Sequence, residues 1–253
     1  MFESLLPLFL LVLFILFLFL IWRINARKYI SSVTVASAYD AWTQDKLLER
    51  LWGEHIHLGF YPLGTKNTDF RKAKIHFVHE LVKWSGLDKL PKGSRILDVG
   101  CGIGGSSRIL AKYYGFNVTG ITISPAQVKR ARELTSSKLS CNFQVMDALD
   151  LKFEDGSFDA IWSVEAGAHM NDKNKFADEM LRTLRPGGYL ALADWNSRDL
   201  NAYPPSFIER LVLKQLLEQW VHPNFISIKE FANILRTNKN SAGKVNSENW
   251  NSY

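Results

Sequence analysis

Apolar residues are arranged along this chain in three ways, and each predicts a different kind of element. From Leu5 to Trp22 they form a run of Leu, Phe, Ile and Val that carries one proline and no charge. A helix of that length reaches roughly 27 Å, close to the ~30 Å hydrocarbon core of a bilayer. Glu3 precedes the run, Arg23, Arg27 and Lys28 follow it, and no small-residue cleavage site adjoins Trp22. The pattern therefore predicts a retained transmembrane helix at about residues 5–22, with Trp22 at the interface and the carboxyl side cytoplasmic, rather than a signal peptide. Residues 29–70 alternate polar and aromatic positions around Gly53, Gly59, Pro62 and Gly64, which predicts a turn-rich segment.

Beyond residue 69 the spacing becomes regular. Ile75, Val78, Leu81 and Val82 recur at helical intervals over 69–85, and Gly86 ends that helix. Short apolar strands follow at Arg95–Val99, Asn117–Ile123, Asn142–Met146, Phe158–Ser163 and Tyr189–Trp195. Helical stretches separate them at Ser106–Tyr114, Pro125–Leu134 and Asp172–Leu184, and Pro186-Gly187-Gly188 reads as a tight turn. Strands alternating with helices at this spacing predict an α/β fold with a doubly wound, mostly parallel sheet. The chain divides into an anchor (1–28), an N-terminal cap segment (29–90), a core (91–200) and a carboxyl region (201–253).

Composition changes this picture little. The formal charge of +6 is spread as single cations, among them Lys72, Lys74, Lys129 and Arg132, with no basic block that would argue for nucleic acid. Solvated helix faces are the expectation for them, with attraction to an anionic membrane surface as the alternative. The two cysteines, Cys101 and Cys141, make no disulfide or metal pattern, which points to a reducing compartment and no metal.

In doubly wound sheets ligands bind at the carboxyl ends of the strands, so the loop after the first strand carries the most information. Gly100, Gly102 and Gly105 fit G-x-G-x-x-G, a pattern shared with dinucleotide sites. Asp98 stands two positions before the first glycine, and no ribose-binding acid follows the second strand, where Gly120-Ile121-Thr122-Ile123-Ser124 offers hydroxyls. Both details disfavour a nicotinamide cofactor. An acid beside the glycine turn suits a ligand that carries an ammonium, as S-adenosyl-L-methionine does.

Several motifs, taken together, resemble the prenylquinol methyltransferases of the tocopherol and plastoquinone pathway. They are Arg95 to Gly105, Gly120 to Gln127, Phe158 to Met170, Leu184 to Gly188, and Trp52-Gly53-Glu54-His55-Ile56-His57-Leu58-Gly59. Gamma-tocopherol methyltransferases share most of these motifs, and sterol and cyclopropane-lipid methyltransferases share fewer. The resemblance implies a Rossmann-like class I methyltransferase fold and C-methylation of a prenylated hydroquinone of the 2-methyl-6-phytylbenzoquinol type, with gamma-tocopherol or a sterol as the rival acceptors. It implies a cofactor loop at Asp98, Gly100, Cys101, Gly102 and Gly104. Ribose contacts fall to Thr122, Ser124 and Gln127, although Ser124-Pro125-Ala126-Gln127 equally reads as a helix cap. Asp147 and Ala148 match the pair that reads the adenine, with a capped turn as the plain alternative for Asp147. Ring methylation needs a base, and the resemblance puts Glu165 and His169 after the fourth strand, on one face if that segment is helical, with His55 and His57 as further choices. Tyr39, Trp52 and Tyr61 are placed either to cradle a sulfonium or to pack over the sheet.

After Trp195 come helical stretches near Phe207 to Trp220 and Ile228 to Leu235, then polar sequence through Arg236–Ser241 to Val245 and Trp250. The family fold closes with an antiparallel hairpin and a helical substrate cover. Here the expectation is an incomplete hairpin, no cover and a weakened acceptor pocket. Two function classes follow: an active, membrane-held methyltransferase whose partners are the bilayer and a prenylquinol, or a non-catalytic, cofactor-binding remnant.

Overall fold

The structure is a computed structural model and describes residues 6–25, 28–64 and 68–250. Five parallel strands build it: β1 (Arg95–Val99), β2 (Asn117–Thr122), β3 (Cys141–Val145), β4 (Phe158–Val164) and β5 (Leu184–Ala193). They lie in the order β3-β2-β1-β4-β5, so the winding direction reverses between β1 and β4. Asp98 is in register with Gly120 on one side and Trp162 on the other. The carboxyl ends of the three central strands therefore finish together.

Burial on both faces explains why these strands are near-continuous apolar runs. On one face Ile96, Val118, Ala160 and Trp162 pack against α4 (Phe70–Ser85) and α5 (Gly105–Tyr114) through Phe77, Val78, Leu81, Ile109 and Leu110. On the other, Leu97, Val99, Ile121 and Ile161 pack against Phe176, Ala177 and Met180 of α7 (Lys173–Thr183) and Phe231 and Leu235 of α9 (Ile228–Thr237). The period-2 alternation of Ile96 and Leu97 thus sends neighbours into opposite clusters. A third cluster joins Cys101 and Phe143 to Val128 and Ala131 of α6 (Pro125–Leu134).

Several expectations need correcting. The turn-rich segment holds two helices, α2 (Ser32–Gln44) and α3 (Leu47–Trp52). Alternating β-branched and aromatic residues hide α2, whose apolar face is split between packing and cavity. Its start is fixed by a capping box of Ser31 and Thr34. Tertiary partners fix the rest. The Asp40 carboxylate accepts from the Ser124 hydroxyl (2.5 Å) and the Ala126 amide (3.0 Å), and Glu49 of α3 pairs with Arg130 at 2.7 Å. Pro186-Gly187-Gly188 is not a turn before the last strand but a bulge within it, since Phe158 pairs with Leu184 and Ala160 next pairs with Tyr189. Lys74, expected on a solvated face, is 3% exposed.

The carboxyl region supplies α8 (Phe207–Trp220), α9 and one parallel bridge, Ser197 to Ser227, with no antiparallel strand among the described residues. A groove of about 1140 Å³, lined by Leu190, Leu192, Phe231 and Leu235, runs along β5. Trp250 returns to it and meets Phe60, Phe77 and Trp84 edge-on at 5.5, 5.7 and 6.0 Å. The expectation of no cover is overturned in part, because the segment after α8 turns back onto α2 and His169 at the cavity wall. Val221 is buried against Val35 and Ala38, and Trp220 meets Trp42 at 5.7 Å.

At the amino end, α1 (Leu6–Asn25) occupies most of the run expected to span a bilayer. Among the described residues no helix is long and apolar enough to cross a membrane. Side chains of α1 are described for Pro7–Leu20, roughly 21 Å of helix at ~1.5 Å per residue. Leu5 and the Trp22 side chain, assigned to the span and its interface, lie outside the described residues.

Phe176 is fully buried and lies parallel to Phe231 at 6.4 Å, so it joins α9 to the sheet. Phe176→Ala is expected to lower unfolding free energy by about 3–5 kcal/mol, read by urea denaturation. A loss under about 1 kcal/mol would show that α9 is not docked there.

Candidate active site

The winding reversal leaves a cavity of about 400 Å³ at the carboxyl edge of the sheet, within the usual size of a small-molecule site. Its floor is the turn after β1. Gly100, Gly102 and Gly104 all have positive φ, at 78°, 55° and 82°. At Gly100 a Cβ would overlap Ala166, which follows β4, so only glycine lets the two strand ends approach this closely. At Gly102 a Cβ would meet nothing within 4 Å, which leaves bare backbone facing the cavity. Asp98, 2% exposed, accepts the Ser107 hydroxyl at 2.5 Å. Burial pushes its carboxyl up to about 7 against that hydrogen bond.

Residues from every strand end line the cavity: Thr122 at the end of β2 and Gln127 beyond it, Asp147 and Ala148 beyond β3, Glu165 and His169 beyond β4, and Trp195 beyond β5. The segment Trp52–Leu58 crosses it, and Tyr39 of α2 with Trp220 and His222 completes the wall. The crossing segment is fixed at several points. Lys74 Nζ donates to the carbonyls of Trp52 (2.9 Å) and His55 (2.8 Å). Arg108 pairs with Glu54 at 2.7 Å, and the Leu58 amide donates to Glu165 Oε1 at 2.9 Å. At Gly105 a Cβ would run into the Glu54 carbonyl and the His55 ring, so the segment rests directly on the start of α5.

The four histidines of the site are all kept neutral. Burial holds His55 and His222 down to about 3 and His57 and His169 to about 4, with nearby cations or imidazoles adding to it. His169 Nδ1 lies 3.3 Å from the Val221 carbonyl and its Nε2 2.9 Å from the Tyr39 hydroxyl. A carbonyl only accepts, so Nδ1 carries the proton and Nε2 receives the Tyr39 O–H. His222 stacks on His169 at 4.1 Å. Burial, then the Glu165 charge, raise the Tyr39 phenol above its ordinary range. Glu165 is raised by burial and opposed by the Leu58 amide and the Trp195 side chain.

The sequence-derived residues therefore divide. Asp98, Gly100, Gly102, Thr122, Gln127, Asp147, Ala148, Tyr39, His55, His57, Glu165 and His169 share one cavity. Gly104 lies beneath the loop against Phe143 and Arg108, and caps α5. Cys101 borders the cavity, but its side chain packs with Val128, Ala131 and Phe143. Ser124 is fully buried outside the cavity, where it caps α6 through the Gln127 amide at 3.1 Å. Thr122 donates to Gln127 Oε1 at 2.7 Å, and Asp147 Oδ1 caps its own turn at the Leu149 amide, 2.8 Å away. Glu165 and His169 do not share a helical face. Glu165 has φ of 52°, a left-handed kink that costs of order 1–3 kcal/mol, and Gly167–His169 forms a single 3₁₀ turn. Tyr61 is outside the cavity, in the groove along β5. Lys74, Tyr29, Trp220 and His222 escaped the sequence reading. The last two carry one sequence signal, a Trp and a His two apart behind an aliphatic helix.

The cavity fits S-adenosyl-L-methionine. The glycine turn leaves backbone bare at Gly102, and among the described residues the buried Asp98 carboxyl is bonded by the Ser107 hydroxyl and no cationic side chain, which suits a ligand ammonium. The hydroxyl and amide groups at Thr122 and Gln127, with Asp147 beyond them, line the way a ribose and adenine would run.

Comparison with known proteins bears on the same residues. A family described as "Methyltransferase domain" matches residues 97–192. The 2-methyl-6-phytyl-1,4-hydroquinone methyltransferase of Synechocystis sp. is 54% identical over 97% of this chain and 77% of its own length. The chloroplastic tocopherol O-methyltransferase of Arabidopsis thaliana is 37% identical over 76% of this chain and 58% of its own. Among solved structures, the geranyl diphosphate C-methyltransferase of Streptomyces coelicolor, in complex with S-adenosyl-L-homocysteine, aligns with a TM-score of 0.65 and 22% identity. The alignment covers 82% of this chain and 78% of that one. At that identity it speaks for the fold alone.

The neutral histidines set a pH dependence. An unfolded-chain imidazole titrates near 6.5, above these folded values of about 3 to 4. Their contribution to stability is thus whole above about pH 6.5 and lost as pH falls through 4. Asp98 and Asp194, both raised to about 7 by burial, act with the opposite sign and offset part of that loss as pH falls below 7. Ring-proton NMR resonances of His55, His57, His169 and His222 are expected to stay those of neutral imidazole from about pH 8 to 5. A titration of any of the four near pH 6.5 would contradict their burial.

Proposed function

This chain belongs to the family of 2-methyl-6-phytyl-1,4-hydroquinone methyltransferases, and from that premise we propose that it transfers a methyl group to a ring carbon of a prenylated hydroquinone. It is an S-adenosylmethionine-dependent methyltransferase of the tocopherol pathway. The observation that carries the acceptor class is the 54% identity to the Synechocystis enzyme over 97% of this chain and 77% of that enzyme.

When bound, S-adenosylmethionine supplies an electrophilic methyl group on a sulfonium. Asp98, Gly100 and Gly102 would hold its methionine end, Thr122 and Gln127 its ribose, and Asp147 with Ala148 its adenine. An aromatic carbon is a poor nucleophile until a hydroxyl on the same ring loses its proton, so the chain must supply a proton acceptor. Tyr39 and His169 provide the route. Because the Tyr39 O–H points at His169 Nε2, the phenol oxygen has lone pairs free for a substrate hydroxyl. The substrate proton moves to Tyr39 oxygen as the Tyr39 proton moves to His169 Nε2. After methylation the ring carbon loses its hydrogen as a proton to the Glu165 carboxylate, and the proton on His169 returns through Tyr39 to the ring oxygen. Trp52, Trp195 and Trp220 exclude water from that exchange. A lone hydroxyl-to-imidazole relay of this kind contributes ~10²–10⁴-fold.

Radiolabelled methyl transfer to 2-methyl-6-phytylbenzoquinol, run beside gamma-tocopherol and a sterol, tests the reading. Tyr39→Phe is expected to lower kcat at least ~100-fold with little change in cofactor affinity. Cofactor binding without transfer to any of the three would make the chain a non-catalytic remnant, and the acceptor reading would be lost.

We also propose that α1 anchors the chain in a membrane, with the methyltransferase on the cytoplasmic side. Over its twenty residues a helix is ~30 Å long. Its described apolar side chains, Leu8 to Leu20, are 45–58% exposed, whereas residues elsewhere form the cores. The stretch with described side chains, Pro7–Leu20, covers roughly 21 Å of that length, and the sequence continues it with Ile21 and Trp22 before the basic Arg23, Arg27 and Lys28. An acceptor with a prenyl tail partitions into lipid, which raises its local concentration at an anchored enzyme. Deleting residues 1–28 is expected to release the protein from liposomes and to lower activity on membrane-dispersed acceptor. Unchanged liposome binding after the deletion counts against an anchor.

A further inference from the structure

In the motif Trp52 to Gly59 the first histidine, His55, lies against the cofactor loop. The ring of His55 is 2.9 Å from where a Cβ on Gly105 would stand, in the cavity that Asp98, Gly100 and Gly102 also line. Its protonation pattern follows from its neighbours. The Leu58 carbonyl, 2.7 Å from His57 Nδ1, can only accept, so that nitrogen carries the proton. A neutral His57 then has a lone pair at Nε2, and His55 Nδ1, 3.2 Å away, must donate to it. That leaves His55 Nε2 as a lone pair, and none of the hydrogen bonds described for His55 uses it. The carbonyl of the same residue is held by Lys74, and its neighbour Glu54 by Arg108, so the ring is fixed from both sides.

We propose that His55 is a cofactor-recognition residue, whose Nε2 accepts a hydrogen bond from the ammonium group of the methionine end of S-adenosylmethionine. The inference rests on the cofactor reading of the glycine loop and is independent of the acceptor. A fixed lone pair repels a carboxylate and welcomes an N–H, so it selects the ammonium from the two charged groups at that end of the cofactor. Asp98 in the same cavity adds negative charge that favours the same group. Burial keeps His55 from taking a proton of its own, which leaves it a steady acceptor. His57 becomes a positioning residue, since it sets which nitrogen of His55 is free.

Calorimetry with two ligands tests this: S-adenosylhomocysteine, which keeps the amino acid end, and 5′-methylthioadenosine, which lacks it. His55→Phe is expected to weaken S-adenosylhomocysteine binding roughly 10- to 100-fold, as for loss of a hydrogen bond to a charged group, and to leave methylthioadenosine within about twofold. His57→Leu unlocks the tautomer and is expected to give a smaller loss confined to the same ligand, which keeps the proposal testable should His55→Phe not fold. Equal weakening of both ligands by either variant means a deformed cavity and overturns the proposal, as does unchanged affinity for both. An absence of methyl transfer with this binding pattern intact would remove the acceptor reading and leave His55 where it is assigned.

Discussion

The site depends on one close approach. Gly100, at the end of β1, passes so near Ala166, at the end of β4, that no side chain fits between them. β1 and β4, the strands at which the sheet reverses its winding, pair from Ile96 to Asp98 and meet again at this contact, beside which the cavity opens. The positive φ of Gly100 turns the chain sharply enough for α5 to start five residues later. The left-handed kink at Glu165 is the matching cost on β4, next to Ala166, and the Glu165 carboxylate there accepts the Leu58 amide.

Around that point the protein builds a cavity of neutral acceptors. Its histidines are neutral at rest, and Lys74, buried behind the covering segment, donates to backbone carbonyls. Desolvation lowers the lysine to about 8, which removes part of its competition with a cationic ligand. The same desolvation raises Asp98. A site so arranged favours a ligand that brings its own positive charge, and S-adenosylmethionine carries two such groups, an ammonium and a sulfonium. The covering segment from Trp52 to Leu58 adds no cation to the cavity and excludes water from it, which strengthens every remaining electrostatic contact.

Legibility in the sequence follows the range of the forces involved. β1, α6 and α8 have the bounds their local pattern predicts, because each is bounded by its own stop signals: Gly100, the Ser124-Pro125 cap, and the Ser206 capping box. α2 was invisible because what holds Ser32–Gln44 helical is Asp40 reaching α6, a contact across more than eighty residues. Lys74 looked like a surface cation because spacing reports which face of a helix a residue is on, not what later covers that face. The bulge at Pro186-Gly187-Gly188 read as a turn because a proline-glycine pair signals both, and only pairing with β4 distinguishes them.

By itself the sequence determined the alternation of strands and helices, the glycine turn with its acid, and hence a parallel sheet with a cofactor loop at its carboxyl edge. These are short-range facts, fixed by residues within a few positions of each other. Tertiary structure alone decided which polar residues meet. It paired Tyr39 with His169 across 130 positions, tied His55 to Gly105 and Glu165 to Leu58, and took Ser124 and Gly104 out of the cavity to serve as helix caps. The physical reason is that a hydrogen bond or a desolvated charge depends on distance and burial, and neither is a property of a residue's place in the chain.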